Sequence, residues 1–193
     1  HSNGGLVAKA LGLELEKAGK SNLIDKVVFV AVPELGTPQA VAAMLHGLDQ
    51  GIFHEIILKE GVARTFGLSL PGAYGLLPSE EYFNRIIDPV LTFTGKAVGS
   101  FEEFGNFLTG KSDKRPQPKE SDTKSPAVLS SALLSKSRAL HGLLDIWHFP
   151  PATELLSLAG WGTPTTESIE YSTSSPRIRK GQEGDGTVVV QSA

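Results

Sequence analysis

Ser2 is the first residue at which chemistry can be expected. His1-Ser2-Asn3-Gly4 fits the last four positions of the G-x-S-x-G nucleophile elbow, with the first glycine of that pattern outside the chain. A hydroxyl is a weak nucleophile until a base takes its proton. An elbow helps by standing the serine on a strained strand-to-helix turn, clear of the sheet. Strand and helix nearly touch there, which small neighbours such as Gly4 and Gly5 permit. The main-chain N–H of Asn3 would then donate to an oxyanion, aided by the N-terminal dipole of the following helix. The matching acid stands near the other end. Asp185 lies between Gly184 and Gly186 and is followed by Thr187-Val188-Val189-Val190. In this arrangement the acid follows the serine and a histidine follows the acid. The five histidines, His1, His46, His54, His141 and His148, all precede Asp185. The expected base therefore lies downstream of Ala193, and the second oxyanion donor upstream of Ser2. Because the chain opens in the middle of a motif and without Met, it reads as an excerpt of a larger protein. The plain alternatives are a Ser-Asn-Gly-Gly turn and a surface Gly-Asp-Gly turn. An amphipathic helix and then a buried strand directly after Ser2 favour the elbow.

The elements that must position these residues can be read from spacing. Leu6, Val7, Ala10, Leu11 and Leu15 predict a helix over residues 4–18, ended by Gly19. Residues 26–32 (KVVFVAV) predict a strand buried on both faces. Thr37-Pro38 supplies an N-cap and N1 proline for a helix with Val41, Met44, Leu45 and Leu48 on its apolar face, closed by Gly51. Helix, strand, helix is the alternation of an α/β fold with a mostly parallel sheet. Pro71-Gly72 and Leu77-Pro78 break residues 52–95 into short pieces. Ser100 and Glu103 form a capping-box pattern, with Phe101, Phe104, Phe107 and Leu108 on one face of the helix that follows. Residues 110–126 read as a flexible polar loop, and Ser125-Pro126 opens a helix lined by Leu129, Leu133, Leu140, Leu144 and Trp147. Pro150-Pro151 ends it. Residues 154–159 predict a second parallel strand, 168–172 another short strand, and 173–183 a polar turn region.

Composition narrows the classes of function. The chain has 193 residues, 40% hydrophobic and 20% charged, as an ordinary globular domain has. A net charge of −3 and the lack of a basic run give no reason to expect a nucleic-acid partner. With no Cys, disulfides and thiolate metal sites are excluded.

Four blocks resemble one family. His1-Ser2-Asn3-Gly4-Gly5-Leu6 resembles an H-S-M-G-G-L elbow, and Val32-Pro33-Glu34-Leu35-Gly36-Thr37-Pro38 a T-P-H-x-G-[ST] loop. Pro71-Gly72-Ala73-Tyr74-Gly75-Leu76-Leu77-Pro78 resembles P-S-x-x-x-L-L-P, and Gly184-Asp185-Gly186-Thr187-Val188 a G-D-G-T-V acid loop. Together they resemble the α/β-hydrolase lipases of the lecithin:cholesterol acyltransferase branch. Asn3 stands for the usual Met and Glu34 for the loop's His; residues 94–151 match nothing in that family. The resemblance implies the C-terminal part of an α/β-hydrolase fold. Residues 1–93 would be core from the elbow onward, 94–150 a helical cap or lid carrying the flexible loop 110–126, and 151–193 core with the acid loop. It implies Ser2 as nucleophile, Asp185 as acid, Asn3 as oxyanion donor through its N–H, and no metal or organic cofactor. The substrate would be a small-molecule or lipid ester, cleaved through an acyl-serine or passed to an alcohol. The cap would bring transient contact with a membrane or lipid interface. Phe101, Phe104 and Trp147 on the cap are the expected substrate-binding residues, against the simpler role of packing. The competing readings are a catalytically inactive hydrolase-fold binding module of a larger protein and, on the same elbow, a peptidase or amidase.

Overall fold

The structure is a computed structural model that describes residues 1–49, 60–86, 89–93, 96–113, 115, 125–171 and 176–193. It is a mixed α/β arrangement with two sheets. In chain order the elements are α1 (Gly4–Lys17), β1 (Lys26–Val30), α2 (Pro38–His46), α3 (Glu60–Ser69), α4 (Pro71–Tyr74), α5 (Glu80–Arg85) and β2 (Leu91–Phe93). They continue with β3 (Lys96–Ala97), α6 (Phe101–Leu108), α7 (Ser131–Leu144), β4 (Glu154–Leu158), β5 (Thr165–Tyr171) and β6 (Pro176–Gly181). β1 and β4 pair in parallel, Phe29 opposite Ser157. The other sheet runs β3-β2-β5-β6, with β2 and β5 parallel and the outer pairs antiparallel.

The caps follow from the residue types. Thr37 Oγ1 accepts from the Gln39 N–H at 3.3 Å, with Pro38 at the first helical position of α2. Gly47, at φ 73°, ends α2 four residues before Gly51, because only glycine adopts that left-handed geometry freely. Ser100 Oγ accepts from Glu103 N–H at 3.2 Å, and Glu103 Oε2 reaches back to the Gly99 N–H at 2.9 Å, one position before the cap.

Several expectations are corrected. The helix predicted from Ser125-Pro126 starts at Ser131, capped by Ser130. The preceding segment is instead tied to α2 and α6, through Ala127 N–H to Leu45 O and Leu129 N–H to Leu108 O, both 2.9 Å. The turn region 173–183 contains β6, whose Arg177, Arg179 and Lys180 suit an edge strand that must resist further pairing. α1 does not bury the face expected of it. Gly5, Leu6, Lys9 and Gly12 are buried, whereas Val7 and Leu11 face solvent. Gly5 and Gly12 let the helix lie close: a Cβ on Gly5 would meet Val32 Cγ1 at 2.3 Å, and one on Gly12 would meet the Trp147 ring at 2.4 Å. β1 buries only Phe29 fully, so it is not covered on both faces.

The main core gathers α2, α4, α5, β2, α6 and β5, with Tyr74, Tyr82, Leu91, Phe104, Phe107, Leu108 and Ile169 among its members. α6 contributes Phe104, Phe107 and Leu108 to this core. Arg115 anchors one point of the loop 110–126. Its buried guanidinium lies over the Phe107 ring and donates to the carbonyls of Phe107, Leu108, Pro126 and Ala127. Burial pulls its pKa below the ordinary arginine value. Most of that loop (residue 114 and residues 116–124) falls outside the described residues, as do His54 and Gly51.

Candidate functional site

Ser2 sits on a left-handed turn at φ 53°, a conformation that a non-glycine residue adopts at a cost of about 1–2 kcal/mol. Its N–H donates to Val30 O, 3.1 Å away, at the C-terminal end of β1. α1 begins two residues later. Asn3 caps α1 in helical geometry, without a side-chain cap bond. Among the described residues no main-chain acceptor takes the Asn3 N–H, so it is available to an incoming oxygen.

Asp185 belongs to a loop beyond the end of β4. Gly160 lies against it so closely that a Cβ there would meet Asp185 Cβ at 2.5 Å. Asp185 Oδ1 accepts from the N–H groups of Thr187 and Val188, both at 2.8 Å, and among the described residues its hydrogen bonds fall on that oxygen, which leaves Oδ2 for another donor. The loop is braced from two sides. Gly186 N–H donates to Thr165 Oγ1 at 2.8 Å, Thr37 Oγ1 donates to Thr187 O at 2.6 Å, and Ser192 Oγ donates to Gly36 O at 2.5 Å. The 32–38 loop is tied to α1 in turn, through Lys9 Nζ to Glu34 Oε2 at 2.9 Å. β1 and β4 are parallel neighbours, so Ser2 and Asp185 stand at the same end of one sheet, outside its carboxyl ends.

Four of the five histidines fall on described residues. His46 is buried with Nε2 2.6 Å from Tyr171 Oη. His141 is buried on α7, its Nε2 2.9 Å from Gly75 O and its Nδ1 2.8 Å from Asp145 Oδ1. His1 and His148 are exposed. None of these four is shown bonded to Asp185 or Ser2.

The aromatic residues expected at a substrate site are spread over other packing. Phe104 is in the core, and Phe101 packs on Phe83 and Phe104. Both line a groove of about 520 Å³ between α5, α6 and α7. Trp147 lies against Gly12 and Phe149 and donates through Nε1 to Glu16 Oε2 at 2.7 Å. A different groove, of about 350 Å³, reaches Asn3 and runs between α1 and α7. Sequence reasoning missed it because three helices build it from residues far apart in the chain. Among the described residues there is no group of three or more His, Asp and Glu side chains placed to hold a metal ion. No described helix is long and apolar enough to cross a membrane.

No family model matches the chain, and no curated protein matches it. Among solved structures the chain is similar to one in "The crystal structure of Tle4-Tli4 complex", with a TM-score of 0.61 and 18% identity. That match covers 100% of this chain and 48% of the other, so this chain spans about half the length of the neighbour. At this identity the likeness supports the α/β fold alone.

Proposed function

We propose that these residues belong to the C-terminal part of an α/β-hydrolase and form the nucleophile and acid half of a serine hydrolase acting on carboxylic esters, lipid-type esters among them. The observation that carries the reading is Ser2 at φ 53° just ahead of α1, with its N–H bonded to Val30 O at the end of β1. A serine strained at the N-terminus of a helix, with the next N–H given no main-chain acceptor among the described residues, is the arrangement an acyl-transfer site uses. The general base in this reading is a histidine that follows the acid in chain order.

The steps are these. The base takes the Ser2 proton as Oγ bonds to the acyl carbon. The carbonyl oxygen becomes an oxyanion held by Asn3 N–H. Collapse breaks the ester C–O bond, and the leaving alkoxide takes the proton from the imidazolium. Water, or an acceptor alcohol, then attacks the acyl-serine with the same base, and the bond to Ser2 Oγ breaks. Asp185, fixed through Oδ1, offers Oδ2 to the imidazole N–H and supports its positive charge.

A second reading, an inactive hydrolase fold used for binding, is favoured by the occupied partners of His46 and His141. A fluorophosphonate probe on the complete protein separates the two. Labelling that vanishes in Ser2→Ala supports the hydrolase. No labelling of well-folded protein overturns it in favour of the binding module.

A further inference from the structure

The groove that reaches Asn3 has a composition that specifies its ligand. From α1 it takes Leu6, Val7 and Ala10, which with Asn3 lie on one helical face. From α7 it takes Leu133 and Leu140, one face again. Gly72 and Gly75 of the α4 segment contribute backbone without a side chain. A Cβ built on Gly72 would meet nothing nearer than Asn3 Nδ2, at 3.9 Å, so the space beside Asn3 is open. Its polar side chains are few. Ser137 Oγ already donates to Tyr74 O at 2.7 Å, Lys136 is exposed, and Asn3 stands at the end. A sugar, nucleotide or peptide would leave its polar groups without partners here, at a cost in affinity. An alkyl chain would not.

We propose that this groove holds the acyl chain of the ester, with the carbonyl at the Asn3 end, and selects unbranched chains of medium length. The proposal rests on the serine-hydrolase reading above. Its length follows from the helices. Asn3 to Ala10 is seven residues on α1, about 10 Å at 1.5 Å per residue. An extended chain advances roughly 1.2 Å per bond, so about eight carbons fill that run. Continuity with Asn3, beside Ser2, makes the acyl chain the occupant rather than a partner helix. This places chain-length selection on α1 and α7, away from Phe101, Phe104 and Trp147.

The test uses binding, so that it does not depend on turnover. In complete protein carrying Ser2→Ala, a decanoate with a terminal photoreactive diazirine is cross-linked and the labelled peptides are mapped. Label is expected on residues 6–10 and 133–140. Octanoate should displace it at a concentration roughly 15-fold lower than butyrate, because about four further methylenes, each half-buried, favour binding about twofold apiece. Gly72→Leu and Leu140→Trp should each reduce labelling about fivefold by occupying space worth roughly two methylenes. Val7→Lys, at a position 63% exposed and therefore tolerant, should do the same by placing a charge in the groove. Label elsewhere, equal competition by butyrate, or wild-type labelling in folded Val7→Lys would overturn the proposal. Groove labelling in Ser2→Ala alongside a wild-type Ser2 silent to fluorophosphonate would retain the alkyl site and remove the hydrolase. A reactive Ser2 with no groove labelling would do the reverse.

Discussion

The two sheets divide the work of the molecule. β4 is exposed at every position, with Leu155 at 44%, Leu156 at 50% and Leu158 at 50%, and β1 buries only Phe29 fully. β5, in the other sheet, is buried at five of its seven positions, and the main core includes Leu91, Ile169 and Tyr171 from β2 and β5 but no residue of β1 or β4. The sheet that carries Ser2 and Asp185 at its strand ends is the lightly packed one. The sheet with the packed core meets the acid loop at Thr165, the first residue of β5. Candidate chemistry and most of the apolar stabilisation are therefore separable by mutation, and that separation can be attacked from both sides.

The largest effect is expected at Asp185. Asp185→Asn keeps an oxygen for the Thr187 and Val188 N–H groups and so keeps the loop. It offers the wrong group to an imidazole, and turnover of an ester by the complete protein should fall by about 10⁴-fold with little change in the denaturation midpoint. A loss of both together would mean that the acid loop is structural, and the division between sheets would fail.

From the other side, Phe107→Ala should cost about 3–5 kcal/mol of stability. Phe107 packs on Phe93 and Tyr171 at ring-centroid distances of 5.1 and 5.4 Å, beneath the Arg115 guanidinium. Under conditions where the variant remains folded, the rate of fluorophosphonate labelling at Ser2 should stay within about twofold of wild type, as expected for distant, independent sites. Denaturant titration and labelling rate together check this, and a labelling rate that falls with stability would couple the two regions.

A smaller effect distinguishes two adjacent glycines at the elbow. Gly5→Ala pushes a Cβ into Val32 and should destabilise by about 1–3 kcal/mol. Gly4→Ala meets nothing within 4 Å and should be neutral or stabilise by up to about 1 kcal/mol. Urea midpoints of the two variants decide it. Equal destabilisation would show that helix entry, and not contact with the 32–38 loop, sets the requirement.

What the sequence made legible is local chemistry. Thr37-Pro38 and Ser100 with Glu103 announce helix starts because a cap is satisfied within three residues. The turns at Ser2 and Asp185 are legible for the same reason: each needs glycine beside it and a strand nearby. The α1 face was not. Helical spacing picks out Val7 and Leu11, but close approach to the neighbouring chain selects Gly5 and Gly12, which carry no hydrophobic signal. β6 was hidden by its arginines and lysine, which resemble a loop until an edge is seen to need them. Phe101, Phe104 and Trp147 drew attention as aromatic residues; Phe101 and Phe104 line the groove between α5, α6 and α7, and Trp147 packs on Gly12 and Phe149 and bonds Glu16. The groove at Asn3 has no pattern in the chain, because α1, α4 and α7 meet only in space.

The smallest prediction turns on strain. Of the three described non-glycine residues at positive φ, Ser2 and Ala31 flank the end of β1, at 53° and 49°, and the third, Asp49, lies away from it. Strain of this kind persists only where its surroundings enforce it, and it collects at functional sites. Ser2→Gly removes the steric penalty but adds freedom to the unfolded chain, so the net gain should be only about 0.5–1 kcal/mol. Ester turnover should vanish in the same variant. A protein that becomes more stable as it loses its hydroxyl would show that the fold bears a cost at Ser2 for the sake of that side chain. If Ser2→Gly instead destabilises, the turn serves only to seat the start of α1 against the end of β1, and the elbow reading loses its physical basis.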